Sequence, residues 1–377
     1  MSGLVQSQPR RGQIDALRAL AVGFVLFDHY AMPEGSGPVG RLSVRLFLII
    51  SGYLITEILL RARNEAEKTG SGPGEPLIAF YLHRLLRIAP AYFLVVGLTY
   101  ALHPADFPGN VLAWHASFQS SIFFARHDSW DLPWRLSHLW TLSVQEQFYL
   151  LWPLVVLFIP RRYLLAVTLS LMLIGPIFRL TMVALGQQET VAAFTLLPAS
   201  LSAIGVGAVA ALLEQRSAAP KASAGVDPPI WLAIGLCLFI LACLVPHDFR
   251  WDYLVLEYVW LAPLTGLLLS ASQGLRGPLG RVLDQAWLQY LGRISLGIYL
   301  YQWLAYDAVA ALFPAGDPLI GRGLLRLVLV TPVCIALAAL SWTFLERPVS
   351  RLRRLLPNAR RARSIGVTAP RSWTISQ

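Results

Sequence analysis

The chain has 377 residues, 56% of them hydrophobic and only 14% charged, with a mean hydropathy of +0.56 and a net charge of +10. That composition excludes an ordinary soluble domain and predicts a polytopic membrane protein, an all-α bundle. Lys and Arg fall in short stretches between apolar spans, so the positive charge reads as membrane topology and not as nucleic-acid binding.

The first apolar stretch, Ile14 to Tyr30, contains Asp15, Arg18, Asp28 and His29. Those charges are wrong for the core of a cleavable signal, so it is expected to stay as the first transmembrane helix. Arg18 and His29 are eleven positions apart, which on a helix brings them to within roughly 20° of one face and about 16 Å apart. Ionisable side chains at membrane depth are costly and usually functional. Imidazole is the usual general base near neutral pH. Asp28, adjacent in sequence, does not share the face of His29 and is a weak candidate to orient it.

The second span, 43–60, holds Ser51-Gly52, a pair that permits close helix packing. A Ser nucleophile lacks the G-x-S-x-G context there. The segment 64–75, NEAEKTGSGPGE, reads as a polar loop. The third span, 84–102, opens with Arg84 and Arg87, one turn apart on one face. Their guanidinium forks suit phosphate oxygens. Region 103–137 reads as interfacial or re-entrant around Val111–Ala125, with an extra span as the alternative. The fourth span, 140–160, brings His138, Trp140, Ser143, Glu146 and Gln147 to one end, with Glu146 a candidate buried carboxylate. Spans follow at 163–184, 193–213, 230–246, 254–272, 288–313 and 323–345. In the ninth, Gly292, Ser295 and Gly297 allow tight packing, while Arg293, Tyr299, Tyr301 and Gln302 are candidates to line a cavity. Glu346 and Pro348 are expected to end the tenth.

Ten spans place Arg10, Arg11, Arg61, Arg63, Lys68, Arg84, Arg87, Arg161, Arg162, Arg216, Lys221, Arg276 and Arg281 on one side, with the basic tail. The positive-inside pattern then puts both termini in the cytoplasm. Residues 1–13 form a cytoplasmic N-terminal segment, 14–352 the membrane domain, and 353–377 a basic, disordered tail that suits anionic lipid. Cys237, Cys243 and Cys334 lie in apolar spans and give neither a disulfide framework nor metal-ligand spacing. No bound metal or cofactor is expected.

Taken in order, these segments resemble the acyltransferase 3 family of integral-membrane O-acyltransferases over about residues 11–352. Arg18 and His29 match the family's R-x10-H, FYLHRLLRIAPAYF its Arg-rich element, and HLWTLSVQEQFYLLWP its HxWSLxVEEQFY segment. LFLIISGYLIT, GRISLGIYLYQW and ERP match further elements. The resemblance implies transfer of an acyl group, most often acetyl, from cytoplasmic acyl-CoA to a sugar hydroxyl. Acceptors in such a family are lipopolysaccharide, exopolysaccharide, lipo-oligosaccharide or glycosylated small molecules, some lipid-linked. It implies His29 as the essential base with Arg18 its partner, Arg84 and Arg87 at the donor end beside Arg18, and Glu146 near the acceptor, where His138, Trp140 and Asp28 are also placed. Gln145 replaces the first carboxylate of the usual Glu-Glu pair, Gln302 stands where members often have His, and Arg45 where many have Asp. The compartment implied is a bacterial inner membrane. The competing reading from the same spans is a transporter of a lipid-linked glycan, against which stands the lack of paired, related halves.

Overall fold

A computed structural model describes residues 10–32, 38–216, 257–314, 317, 321 and 323–352. Every regular element among them is helical. Helices α1 (Arg10–Ala31), α2 (Pro38–Thr69) and α3 (Gly74–Leu102) are followed by two short ones, α4 (Val111–Ala116) and α5 (Ser120–His127). Then come α6 (Leu139–Phe158), α7 (Arg161–Ala184), α8 (Val191–Thr195) and α9 (Leu197–Arg216). After position 256 the chain forms α10 (Leu261–Gln273), α11 (Gly277–Leu283), α12 (Ala286–Arg293), α13 (Ser295–Ala310) and α14 (Leu324–Ser341). A π-helical turn, Trp342–Glu346, leads into α15 (Arg347–Arg351).

Five stretches among the described residues are long and apolar enough to cross a membrane: Val39–Thr69, Gly74–Leu102, Arg161–Ala184, Val191–Arg216 and Leu324–Arg351. The protein is therefore an integral, multi-pass membrane protein. Helix α1 carries Asp15, Arg18 and Asp28, α6 carries Gln145, Glu146 and Gln147, and α13 has only 16 residues, so none of the three meets that measure. The expected span 230–246, with Cys237 and Cys243, lies outside the described residues, as do 1–9 and 353–377.

Several boundaries differ from expectation. The polar segment 64–75 is mostly helix, because α2 continues to Thr69 and α3 begins at Gly74. Charged side chains support that extension: Arg63 pairs with Glu67 one turn on, and Arg161 at the start of α7 reaches Glu67 as well. The stretch 111–125 forms two helices of 6 and 8 residues, too short to cross a core about 30 Å thick. The ninth span is broken at Ile294 into α12 and α13. Nor does Glu346 end the tenth; the chain widens there into the π turn and runs on as α15.

Small residues set the helix contacts. A methyl on Gly52 of α2 would fall 1.9 Å from the Ile204 carbonyl oxygen of α9, and one on Gly207 of α9 would fall 2.0 Å from the Ile49 carbonyl oxygen of α2. The two backbones thus touch at reciprocal glycines, a close approach that favours dispersion contacts where lipid supplies no hydrophobic drive. Gly292 does the same between α12 and the Asp15 carbonyl of α1. Around α1, Ala16, Leu17, Ala21 and Tyr30 are fully buried, which places this helix in the middle of the bundle. Leu169, Leu173, Ile177 and Leu180 of α7 are exposed, the pattern of a helix whose outer face meets lipid.

Candidate active site

Five helices turn one face each toward a single cavity of about 120 Å³. Helix α1 contributes Asp15 and Arg18, α3 contributes Arg84 and Arg87, α6 contributes Thr141, Gln145 and Tyr149, and α13 contributes Ser295 and Tyr299. The α2 wall is largely apolar, with Phe47, Ile50 and Leu54 running toward Glu57. The three arginines that were expected at a donor end therefore meet in one chamber. Arg18 lies 3.7 Å from Asp15. Glu57 pairs with Arg61. The Arg84 guanidinium lies 4.2 Å from the centroid of the Tyr149 ring, a cation–π contact of about 0.5–2 kcal/mol. The Tyr149 hydroxyl donates to Gln145 Oε1 at 3.2 Å, and the Ser51 hydroxyl donates to the same oxygen at 3.4 Å.

His29 does not line this chamber. It sits beside it, against α13. Its Nδ1 lies 2.6 Å from Gln302 Oε1, and its ring stacks on Trp303 with centroids 5.6 Å apart and planes at 17°. Gln302 is fully buried, and its amide nitrogen donates to the Tyr299 carbonyl at 2.9 Å. That donation fixes which end of the amide faces the imidazole. The oxygen faces Nδ1, a contact that an N–H at Nδ1 satisfies and that would direct the lone pair of a neutral ring to Nε2. Tyr299 and Gln302 are one turn apart, about 4.5 Å along α13, so the chamber wall and the imidazole clamp are neighbours on one helix.

A family model described as an acyltransferase domain matches residues 11–346. The chain belongs to the acyltransferase 3 family. Among curated proteins, it is 27% identical over 368 residues to the peptidoglycan O-acetyltransferase OatA of Listeria monocytogenes, covering 90% of this chain and 55% of the relative. It is 25% identical to the putative peptidoglycan O-acetyltransferase YrhL of Bacillus subtilis, covering 89% and 54%. With the O-acetyltransferase OatA of Staphylococcus aureus it shares 32% identity over 163 residues, 40% of this chain and 25% of the relative. The chain spans about half the length of the first two curated relatives. No solved structure matches it.

The other residues that the sequence singled out are not gathered in one place. Of the two adjacent side chains Gln145 and Glu146, it is Gln145 that faces the chamber. Glu146 lies about 100° round α6, with Oε1 buried and without a hydrogen-bond partner among the described residues, and with Arg84 as its electrostatic partner. His138 is buried just before α6, its ring 5.2 Å from that of Tyr299. The Tyr299 hydroxyl donates to the His138 carbonyl and accepts from Thr141 Oγ1 at 2.6 Å. Trp140 packs on Trp130, at 6.4 Å between centroids, and does not line the chamber. Asp28 is turned to the first turn of α2, where a methyl on Gly40 would fall 2.4 Å from its Oδ2. A helix N-terminus favours that carboxylate, and Gln302, not Asp28, holds His29.

Ser143 and Gln147 belong to another network. Gln147 Nε2 donates to Ser121 Oγ at 2.9 Å and to Ser143 Oγ at 3.2 Å, and Ser143 donates to the Phe118 carbonyl. These bonds tie α5 to α6. Tyr301, expected in a cavity, is buried and donates to Ser341 Oγ at 2.8 Å. Beyond His29, Arg135 bridges Asp106 and Asp307 at 2.8 Å each, and His103 Nε2 is 3.0 Å from Asp307. Among the described residues no group of three or more His, Cys, Asp or Glu is placed to hold a metal ion.

Proposed function

We propose that this protein is a membrane O-acetyltransferase that moves an acetyl group from acetyl-CoA to a hydroxyl of a cell-wall glycan, with His29 as general base. The observation that carries this reading is the pairing of a chamber with three arginines and an adjacent histidine, joined through α13, where Tyr299 on the chamber and Gln302 on His29 are one turn apart. The relatives' printed names supply the acceptor class, a peptidoglycan-type glycan.

Arg84 and Arg87 bind the phosphates of the donor, where guanidinium forks are effective and a shelved cation loses less entropy on pairing. Arg18, deeper along the same chamber, guides the pantetheine arm. The apolar α2 wall accepts that arm's uncharged part. His29 Nε2 removes the proton of the acceptor hydroxyl as its oxygen attacks the thioester carbon. The C–O bond forms, the C–S bond breaks, and the CoA thiolate leaves with the proton returned by the imidazolium. Gln302 and Trp303 keep the ring oriented throughout. The protein sits in the bacterial inner membrane with ten spans and both termini cytoplasmic, so donor and acceptor approach the reaction centre from opposite ends.

The test is transfer of label from radiolabelled acetyl-CoA into cell-wall glycan by membranes of cells expressing the full chain. Label that requires both His29 and Arg18, each replaced by Ala at matched expression, is the expected result. Wild-type transfer by a folded His29→Ala protein would remove the base assignment.

A further inference from the structure

The position of Gln302 has a chemistry that its neighbours define. It faces an N–H on one side, the His29 Nδ1, and a carbonyl on the other, that of Tyr299. A side chain that serves both must accept at one edge and donate at the other. A neutral amide does this, and so does a neutral imidazole. A carboxylate does not, because its second oxygen would meet the Tyr299 carbonyl oxygen. An aliphatic side chain satisfies neither.

The surroundings leave the amide little freedom. Gln302 is 0% exposed, and its own carbonyl accepts from the buried Tyr30 hydroxyl at 2.6 Å. Trp303, the next residue, stacks on His29 and is itself met edge-on by Trp134 at 4.9 Å. Tyr30 also adjoins His29 in sequence, so α1 and α13 are locked to each other on both sides of the imidazole.

We propose that Gln302 is the positioning residue that sets the tautomer and direction of His29, acting as an acceptor–donor relay between the imidazole and the Tyr299 backbone. This rests on the proposed role of His29 as base. Without the relay, the His29 ring can place its hydrogen on Nε2, and the base is lost while the donor chamber is intact. The effect then falls on turnover and not on donor binding.

The experiment compares Gln302→Leu, Gln302→Glu and Gln302→His in the full chain, in membranes, with radiolabelled acetyl-CoA and the endogenous glycan. Maximal rate, KM for acetyl-CoA and melting temperature are measured for each, with His29→Ala alongside. Gln302→Leu and Gln302→Glu are expected to lower the maximal rate by about tenfold or more with the donor KM within about twofold, and Gln302→His to recover most of the rate. Glu has the shape of Gln, so it carries the comparison with His if the Leu variant does not accumulate. Undiminished rates in Gln302→Leu or Gln302→Glu would overturn the proposal. So would a His variant that is folded yet as slow as Glu. If His29→Ala transfers label at the wild-type rate, the base assignment fails first and takes this proposal with it.

Discussion

Arg84 of α3 rests on the ring of Tyr149 of α6, with 4.2 Å between the guanidinium carbon and the ring centroid. The cation proposed to bind the donor phosphates is thereby held over an aromatic floor. The hydroxyl of the same tyrosine is tied back to Gln145. The floor and the tie are separable, which makes the contact testable.

Tyr149→Phe keeps the aromatic face and loses only the hydroxyl, and the KM for acetyl-CoA is expected to stay within about twofold, whereas Tyr149→Leu is expected to raise it by about three- to thirtyfold, the range of a cation–π contact. Arg84→Lys should resemble Tyr149→Leu, because an ammonium lacks the fork. Initial rates across donor concentration decide it.

Gln145 and Glu146 should behave oppositely. Gln145→Glu puts a carboxylate into the chamber among Arg18, Arg84 and Arg87, where it competes with the donor phosphates. The KM for acetyl-CoA is expected to rise several-fold. Glu146→Gln removes a carboxylate beside Arg84 without adding a group to the chamber, and the donor KM is expected to fall slightly. The same kinetic series reads both.

The reciprocal glycines of α2 and α9 carry stability. Gly52→Ala and Gly207→Ala each drive a methyl into a backbone carbonyl, and each is expected to cost about 1–3 kcal/mol or prevent accumulation. Gly23 of α1, with nothing within 4 Å of an added methyl, is the control; Gly23→Ala is expected to be neutral or slightly stabilising. Thermal melting of the detergent-solubilised protein checks the contrast.

Asp307 gathers Arg135 and His103 on the far side of His29. Asp307→Asn leaves Arg135 with Asp106 alone and is expected to lower stability by about 1–3 kcal/mol, visible as a lower melting temperature, with the donor KM unaltered.

Much of this arrangement was legible in the sequence. Hydropathy and charge gave the helical membrane class, and the spacing of Arg84 and Arg87 gave their shared face. The Ser51-Gly52 pair announced a close helix contact, which Gly52 makes. What was not legible depends on rotation and on partners distant in the chain. Gln145 and Glu146 are one residue apart, and no local pattern says which of two neighbours 100° apart meets a cavity. Gln302 is 273 positions from His29, and only the packing of α13 on α1 joins them. Gly292 and Pro348 lie within two residues of the break at Ile294 and of the π turn at Trp342–Glu346, but neither residue says whether a helix stops, breaks or widens there. By contrast, the weakness of Asp28 as an orienting partner of His29 was legible, because adjacent helical side chains diverge.

Helix α13 touches every part of the site in turn: Ser295 and Tyr299 on the chamber, Gln302 and Trp303 on His29, Asp307 on Arg135. A rigid rod with that set of contacts cannot be displaced at one end only. If the chamber takes the donor as proposed, an acyl chain too long for it would press on Leu296 and Tyr299 and, through α13, disturb the amide clamp on the imidazole. Discrimination between short and long acyl donors should therefore be felt as slow turnover of a well-bound thioester, a size filter that acts at the base and not at the door.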